Sequence, residues 1–209
     1  MSTLKLTGSS SGSTSLQAPA SGSDRTITFP NNAGTVLTNA TPGCILQVKQ
    51  NTDTTTPNVL SMATKGQYYS IPNLNVAITP VSTSNKILIS FQAFGEGSHQ
   101  DHKYRVRLER AISGGATTHI QGVADGSRIQ CMAMLPTSYF GDDNDSTPTQ
   151  VAVSNYLDSP STDSEITYTV QISADDASTE WHYNRTDGDT NHEDYERGMS
   201  YITVMEVAG

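Results

Sequence analysis

Basic residues are scarce in this chain. Lysine and arginine number 12 against 21 aspartates and glutamates, a formal net charge of −9. That balance lacks the basic footprint that nucleic-acid binding needs and disfavours adsorption to an anionic membrane. What the acidity itself implies is solubility and resistance to self-aggregation. Cysteine is almost missing too: Cys44 and Cys131 are the two present. They lie far apart without CxxC spacing, so they read as buried free thiols rather than the disulfide of a Cys-dense secreted scaffold. No run approaches eighteen consecutive apolar residues, which excludes a membrane-spanning helix by length. No charged stretch leads into an apolar one at the start, so no signal peptide is expected and assembly is expected in the cytoplasm of the producing cell. Hydrophobic residues are only 34% of the chain, and a core that lean implies apolar surface buried between subunits as well.

Helical periodicity is missing as well. No window holds apolar residues at i, i+3, i+4 for three turns, whereas alternation with period two recurs. Residues 4–43 are almost entirely Ser, Thr, Gly, Ala and Asn, with seven apolar side chains threaded through: Leu4, Leu6, Leu16, Ile27, Phe29, Val36 and Leu37. So few apolar groups do not offset the entropy of ordering the segment alone. It either stays disordered or becomes ordered on something else. Leu4 and Leu6 alternate with polar residues, as do Ile27 and Phe29, and each pair is bounded by Gly or Pro. This is a strand signature that a plain Gly/Ser linker lacks. The expectation is therefore a docking arm over residues 1–43 that adds strands to itself and to a partner through main-chain hydrogen bonds. At about 3.3 Å per residue, some forty residues reach roughly 130 Å.

Thr41, Pro42 and Gly43 punctuate the boundary to a domain spanning residues 44–209. There, strands are expected at 44–50, 67–71, 74–79, 86–94, 104–112, 117–123, 127–135, 151–157, 166–172, 178–184 and 201–207. Residues 51–58 are expected as a polar loop, and Pro72-Asn73 as a break between two strands. Residues 86–94 are apolar on both faces at their start and read as a central strand packed on two sides. In 104–112, Tyr104, Val106 and Leu108 point one way. Arg105, Arg107 and Glu109 point the other, toward solvent or another subunit. Strands at this spacing define an all-β sandwich or barrel.

Candidate chemistry is thin. Asp187, Asp189 and Asn191 start like a calcium loop, but an EF-hand needs Gly at the sixth position and Glu at the twelfth, where this chain has His192 and Gly198. A looser site from those three is the remaining metal candidate there. His99 and His102 flank Asp101 at i, i+3, but zinc needs three or four convergent ligands. No GxSxG nucleophile turn occurs, and no cofactor motif is present, so neither catalysis nor a cofactor is expected. Tyr139, Phe140, Asp142 and Asp143, and Trp181, Tyr183 and Arg185, combine aromatic faces with charges and amides. Such mixtures suit recognition of a sugar or protein, and these loops are the candidate receptor-facing sites. Trp181, the single tryptophan, is as readily a core residue.

The arm also carries a likeness. Leu6-Thr7-Gly8, Leu16, Ala18-Pro19, Thr26-Ile27-Thr28-Phe29-Pro30 and Gly34-Thr35-Val36-Leu37-Thr38 resemble an ordered motif of tailed-bacteriophage structural proteins, marine and cyanobacterial phages especially. In the body, Ile71-Pro72-Asn73-Leu74, Ile78-Thr79-Pro80 and residues 82–89, 157–160 and 202–206 are similar to a C-terminal domain of fibre-type proteins from such phages. The resemblance implies a jelly-roll-like β-sandwich head, commonly a homotrimer, on a virion assembled in the host cytoplasm. It implies partners of three kinds: other copies of the chain, a second virion protein that receives the arm, and a host-surface glycan or protein. A short tail fibre for host attachment is the role expected first, and a capsid decoration or head-fibre protein the rival. A glycan-cleaving enzyme is the remaining class. Paired carboxylates serve such chemistry, but virion depolymerases resemble long β-helices whose repeat this chain lacks.

Overall fold

The computed structural model describes residues 3–7, 10, 12–17, 41–55, 59–99, 103–135 and 149–209. The described residues are all-β, with antiparallel sheets and no helix. The chain divides into two compact units, Met1–Val36 and Leu37–Gly209.

In the first unit, β1 (Thr3–Thr7) and β2 (Ser13–Gln17) pair antiparallel, with position 4 opposite 16 and 6 opposite 14. The expected strand around Leu4 and Leu6 is present, and its described partner is the neighbouring strand of the same arm. Leu6 is 54% exposed, and a lone two-stranded hairpin is marginal in water. Ile27, Phe29, Val36 and Leu37 of the expected arm lie outside the described residues.

The second unit contains two sheets. The first joins β3 (Ile45–Asp53), β13 (Ser200–Val207), β6 (Lys86–Gly97), β12 (Thr179–Tyr183) and β4 (Val59–Met62), with β10 (Thr149–Asp158) also on β6. Along one edge of β6, β13 occupies Lys86 to Gln92 and β12 takes over at Gly95, while β10 runs along the other edge. The second sheet orders β5 (Tyr69–Ile78), β11 (Ile166–Ser173), β7 (Arg105–Ile112) and β8 (Thr117–Ile120), with β9 (Ala133–Met134) beyond β8 on the same edge of β7.

Alternation assigns each strand an inner face. Ile87, Ile89, Phe91, Ala93, Ile202 and Val204 of the first sheet join Val106, Leu108, Ile166, Tyr168, Val170 and Ile172 of the second in one buried cluster. At one end of the core, the Asp158 carboxylate of β10 accepts two hydrogen bonds from Arg110 Nη1 of β7, at 2.7 and 2.9 Å. It accepts a third from the Tyr168 hydroxyl of β11 at 2.7 Å. This clamp ties the sheets together. Burial, and donation of its hydroxyl to that carboxylate, push the Tyr168 pKa far up. Elsewhere Glu206 is fully buried, and its carboxylate accepts from the Gln47 and Asn85 amides and the Val81 N–H at 2.6, 2.6 and 2.7 Å.

Several expectations need correction. Pro72-Asn73 does not split a strand, because among the described strands β5 pairs only with β11 and an edge tolerates proline. The pairing passes from Gln171 opposite Ser70 to Thr169 opposite Asn75, so extra residues bulge outward there. Asn73 adopts positive φ (59°), and Asn51 Nδ2 donates to the carbonyls of Asn73 and Asn75. The bulge turns both Ile71 and Leu74 into the core. β3 runs on through Asn51 to Asp53 into the expected loop, and β4 was not foreseen. The strand expected at 127–135 shrinks to Ala133–Met134. β6 is central by pairing, but its outward residues Leu88, Ser90, Gln92 and Phe94 are only half-buried. Arg105 is buried rather than solvated. Both cysteines are free thiols, each half-buried rather than fully so.

Candidate interaction surfaces

The outward face of the first sheet carries an apolar row. Register places Val48 of β3 opposite Met205 of β13, Met205 opposite Leu88 of β6, and Leu88 opposite Leu157 of β10. Directly opposed residues point to the same side of a sheet, and Val204, next to Met205, points into the core. The four side chains therefore line up across four strands on the outside. Val48 is 52% exposed and Leu157 45%. Val207 and Ile45 extend the row toward one end. Toward the other, Gln50, Thr203 and Ser90 form a polar row, with Gln50 Nε2 donating to Thr203 Oγ1 at 2.7 Å. An apolar stripe bordered by polar residues, with the exposed Lys86 opposite Val207 at one end, is the pattern of a protein contact.

Farther along this face, residues 184–199 fold over the sheet. Glu96 and His182 oppose each other across β6 and β12 and both are buried under the strap. The Asp187 N–H donates to Glu96 Oε2 at 2.7 Å. His182 Nδ1 lies 3.0 Å from an Asp187 carboxylate oxygen and Nε2 lies 3.4 Å from one of Glu180. Burial lowers the His182 pKa against the opposing pull of Asp187. Arg185 Nη1 donates to the carbonyls of Thr186 and Asp187, and Arg197 pairs with Asp189, which holds the Asp189 carboxyl below its usual range. A side chain at Gly198 would collide with the Phe94 ring, so glycine lets the strap lie flat.

This arrangement disposes the sequence candidates differently from expectation. Asp187 turns to His182, Asp189 to Arg197, and Asn191 is exposed. The three do not converge, and no group of three His, Cys, Asp or Glu among the described residues is positioned for a metal. His99 donates its backbone N–H to the Tyr104 hydroxyl; His102 lies outside the described residues, as do Tyr139, Phe140, Asp142 and Asp143. Trp181, Tyr183 and Arg185 are not receptor-facing. Trp181 is 1% exposed, packing on Gly95 and at 5.7 Å from the Tyr104 ring. The reason is position: β12 lies between β6 and β4, and alternation sends 181 and 183 into the core.

The second sheet's outward face is polar. The Arg107 guanidinium sits 4.0 Å over the Tyr68 ring. Its Nε donates to Gln171 Oε1 at 2.8 Å and its Nη1 to Gln121 Oε1 at 3.3 Å. Gln171 Nε2 in turn donates to Glu109 at 2.9 Å, with His119 beside the same carboxylate. Gln121 donates to Gln130, whose carbonyl accepts from the Tyr68 hydroxyl at 2.6 Å. Burial raises the Tyr68 pKa and lowers that of Arg107. The alternating charges of β7 were visible in the sequence, but Tyr68, Gln121 and Gln130 come from connecting segments with no local pattern.

No family model matches this chain, and no curated protein matches it.

Proposed function

We propose that this chain is a non-enzymatic structural protein of a tailed-phage virion surface, most simply a short tail fibre that contacts the host. On this reading the second unit is a jelly-roll-like head displayed as a homotrimer. The arm docks on another virion protein by strand addition. The observation that carries it is the uncharged row Val48–Met205–Leu88–Leu157, left open on a chain of net charge −9. Such a face is best covered by other copies, since two acidic bodies approach most easily where neither presents charge. The arm motif's likeness to phage structural proteins supports the virion assignment. The paired hairpin β1–β2, with Leu6 exposed, supports docking because it gains stability once a third strand or an apolar surface joins it. His182, the one buried histidine among the described residues, has a carboxylate at each ring nitrogen, which suits bracing better than general-base work.

Labelling the protein on intact particles and challenging adsorption with antibodies against it tests the assignment. Tail labelling with blocked adsorption is the expected result. Shell labelling with normal adsorption would instead mean a decoration protein of the capsid.

A further inference from the structure

We propose that the apolar row of the first sheet is covered by the loop between β8 and β9 of a second copy, so that the copies join head to tail in a closed ring. The inference rests on the three-chain assembly proposed above and names the two surfaces that meet in it. Symmetry sets the requirement. A patch that meets its own counterpart on a two-fold axis makes a dimer and stops there, whereas a ring of three needs two different patches on each chain. Area points the same way. The row offers the exposed Val48 and Leu157 with the half-buried Met205 and Leu88 between them, well short of the roughly 800 Å² per partner of a stable interface. A chain that gives the row to one neighbour and a second patch to the other buries both.

Residues 122–131 supply the second patch. Val123 is 93% exposed, the highest value among the exposed large apolar residues described, and Ile129 is 46% exposed. The loop is held in shape from within. The Gly122 N–H donates to the Cys131 carbonyl at 2.9 Å and Gln130 Nε2 to the Gly122 carbonyl at 2.7 Å, which closes the base. At the tip Gly126 takes a positive φ of 58°, and Arg128 Nη1 lies 2.9 Å from the Asp125 carboxylate. A loop ordered before contact loses less freedom on binding, and the ion pair leaves the tip without net charge. The polar layer of the second sheet reaches this loop only at Gln121 and Gln130, so Val123 and Ile129 stand beyond it. Charge separates this loop from the other connections. On a chain of net charge −9, the exposed residues elsewhere include Glu193, Asp194 and Glu196 in the strap, Asp163 and Glu165 before β11, and Asp176 before β12. These repel a second acidic body. Val81 is exposed too, but its N–H is bonded to Glu206 of β13, so it flanks the row itself.

The test works on the full chain, with Cys44→Ser and Cys131→Ser removing the native thiols. A short bismaleimide is expected to join Leu157→Cys combined with Val123→Cys into a three-chain species on denaturing gels, and to leave Leu157→Cys alone as single chains. By light scattering, Val123→Asp with Ile129→Asp should abolish the three-chain mass. Mixing that variant with Leu88→Asp plus Leu157→Asp should restore a two-chain mass, because each supplies the patch that the other lacks. The restoration also shows that both are folded. Two-chain products from Leu157→Cys alone would mean that the row meets itself, and would overturn the proposal. So would a three-chain mass that survives Val123→Asp with Ile129→Asp, or cysteine variants that keep that mass without crosslinking. These outcomes leave the assembly standing and remove only the loop from it. A single-chain mass for the unmodified chain would instead overturn the assembly itself.

Discussion

The two outward faces of the second unit solve the same problem in opposite ways. Each belongs to a sheet whose other face is core, so each is free to meet water. The second sheet covers its outward face with its own connecting segments, linking Tyr68, Arg107, Gln121, Gln130, Gln171 and Glu109 into one hydrogen-bonded layer. The first sheet does this at one end only, where the 184–199 strap seals Glu96 and His182. At the other end it leaves Val48 and Leu157 exposed in line with Met205 and Leu88. A polar face completed from within needs no partner. An apolar face with no internal cover gains from one, by about 25 cal/mol for each Å² buried. The difference teaches where this chain is finished and where it is not.

The sharpest way to break the comparison is to charge both faces in turn. Leu88→Asp combined with Leu157→Asp is expected to abolish self-association, read as a fall to single-chain mass by light scattering. Thr117→Asp, at an exposed position on the polar face, should leave the mass unchanged. Next comes the clamp between the sheets. Asp158→Ala leaves the partly buried Arg110 and the buried Tyr168 hydroxyl without their shared acceptor, and a loss of about 3 kcal/mol is expected in urea unfolding. That loss should be similar whether or not the apolar row is charged.

The strap offers a pH test. His182 has a folded pKa below its ordinary 6.5 because burial disfavours the imidazolium. A depressed folded value means that the unfolded chain takes up the proton first. The stability is fully present above pH 6.5 and is lost as pH falls through the folded value. Thermal melts of the native chain should therefore drop in that acid window, and His182→Gln should flatten this part of the profile. The smallest effect is expected on the finished face. His119→Gln removes a half-exposed contact to Glu109 and should cost no more than about 1 kcal/mol, with association untouched.

How far the sequence discloses this arrangement depends on the range of the signal. β7 and β11 were legible because each alternates over its own eight residues. β4 was not, because four residues, Val59 to Met62, carry too short a pattern and gain order only by pairing with β12. The continuity of β5 past Pro72 depends on a bulge that β11 and Asn51 stabilise from elsewhere in the chain. Trp181 reads from its neighbours in sequence equally as a recognition anchor and as a core residue. Its burial follows from where β12 sits between two strands, which no local pattern encodes. The apolar row is the clearest case. Its members are separated in sequence by more than a hundred residues, from Val48 to Met205, and only the register of four strands brings them into line.

The most direct measurement is the mass of the unmodified full chain in solution across a hundredfold range of concentration. A stable three-chain mass is the result expected if the apolar row is an interface between copies. A single-chain mass throughout would contradict it and leave that row as ordinary surface.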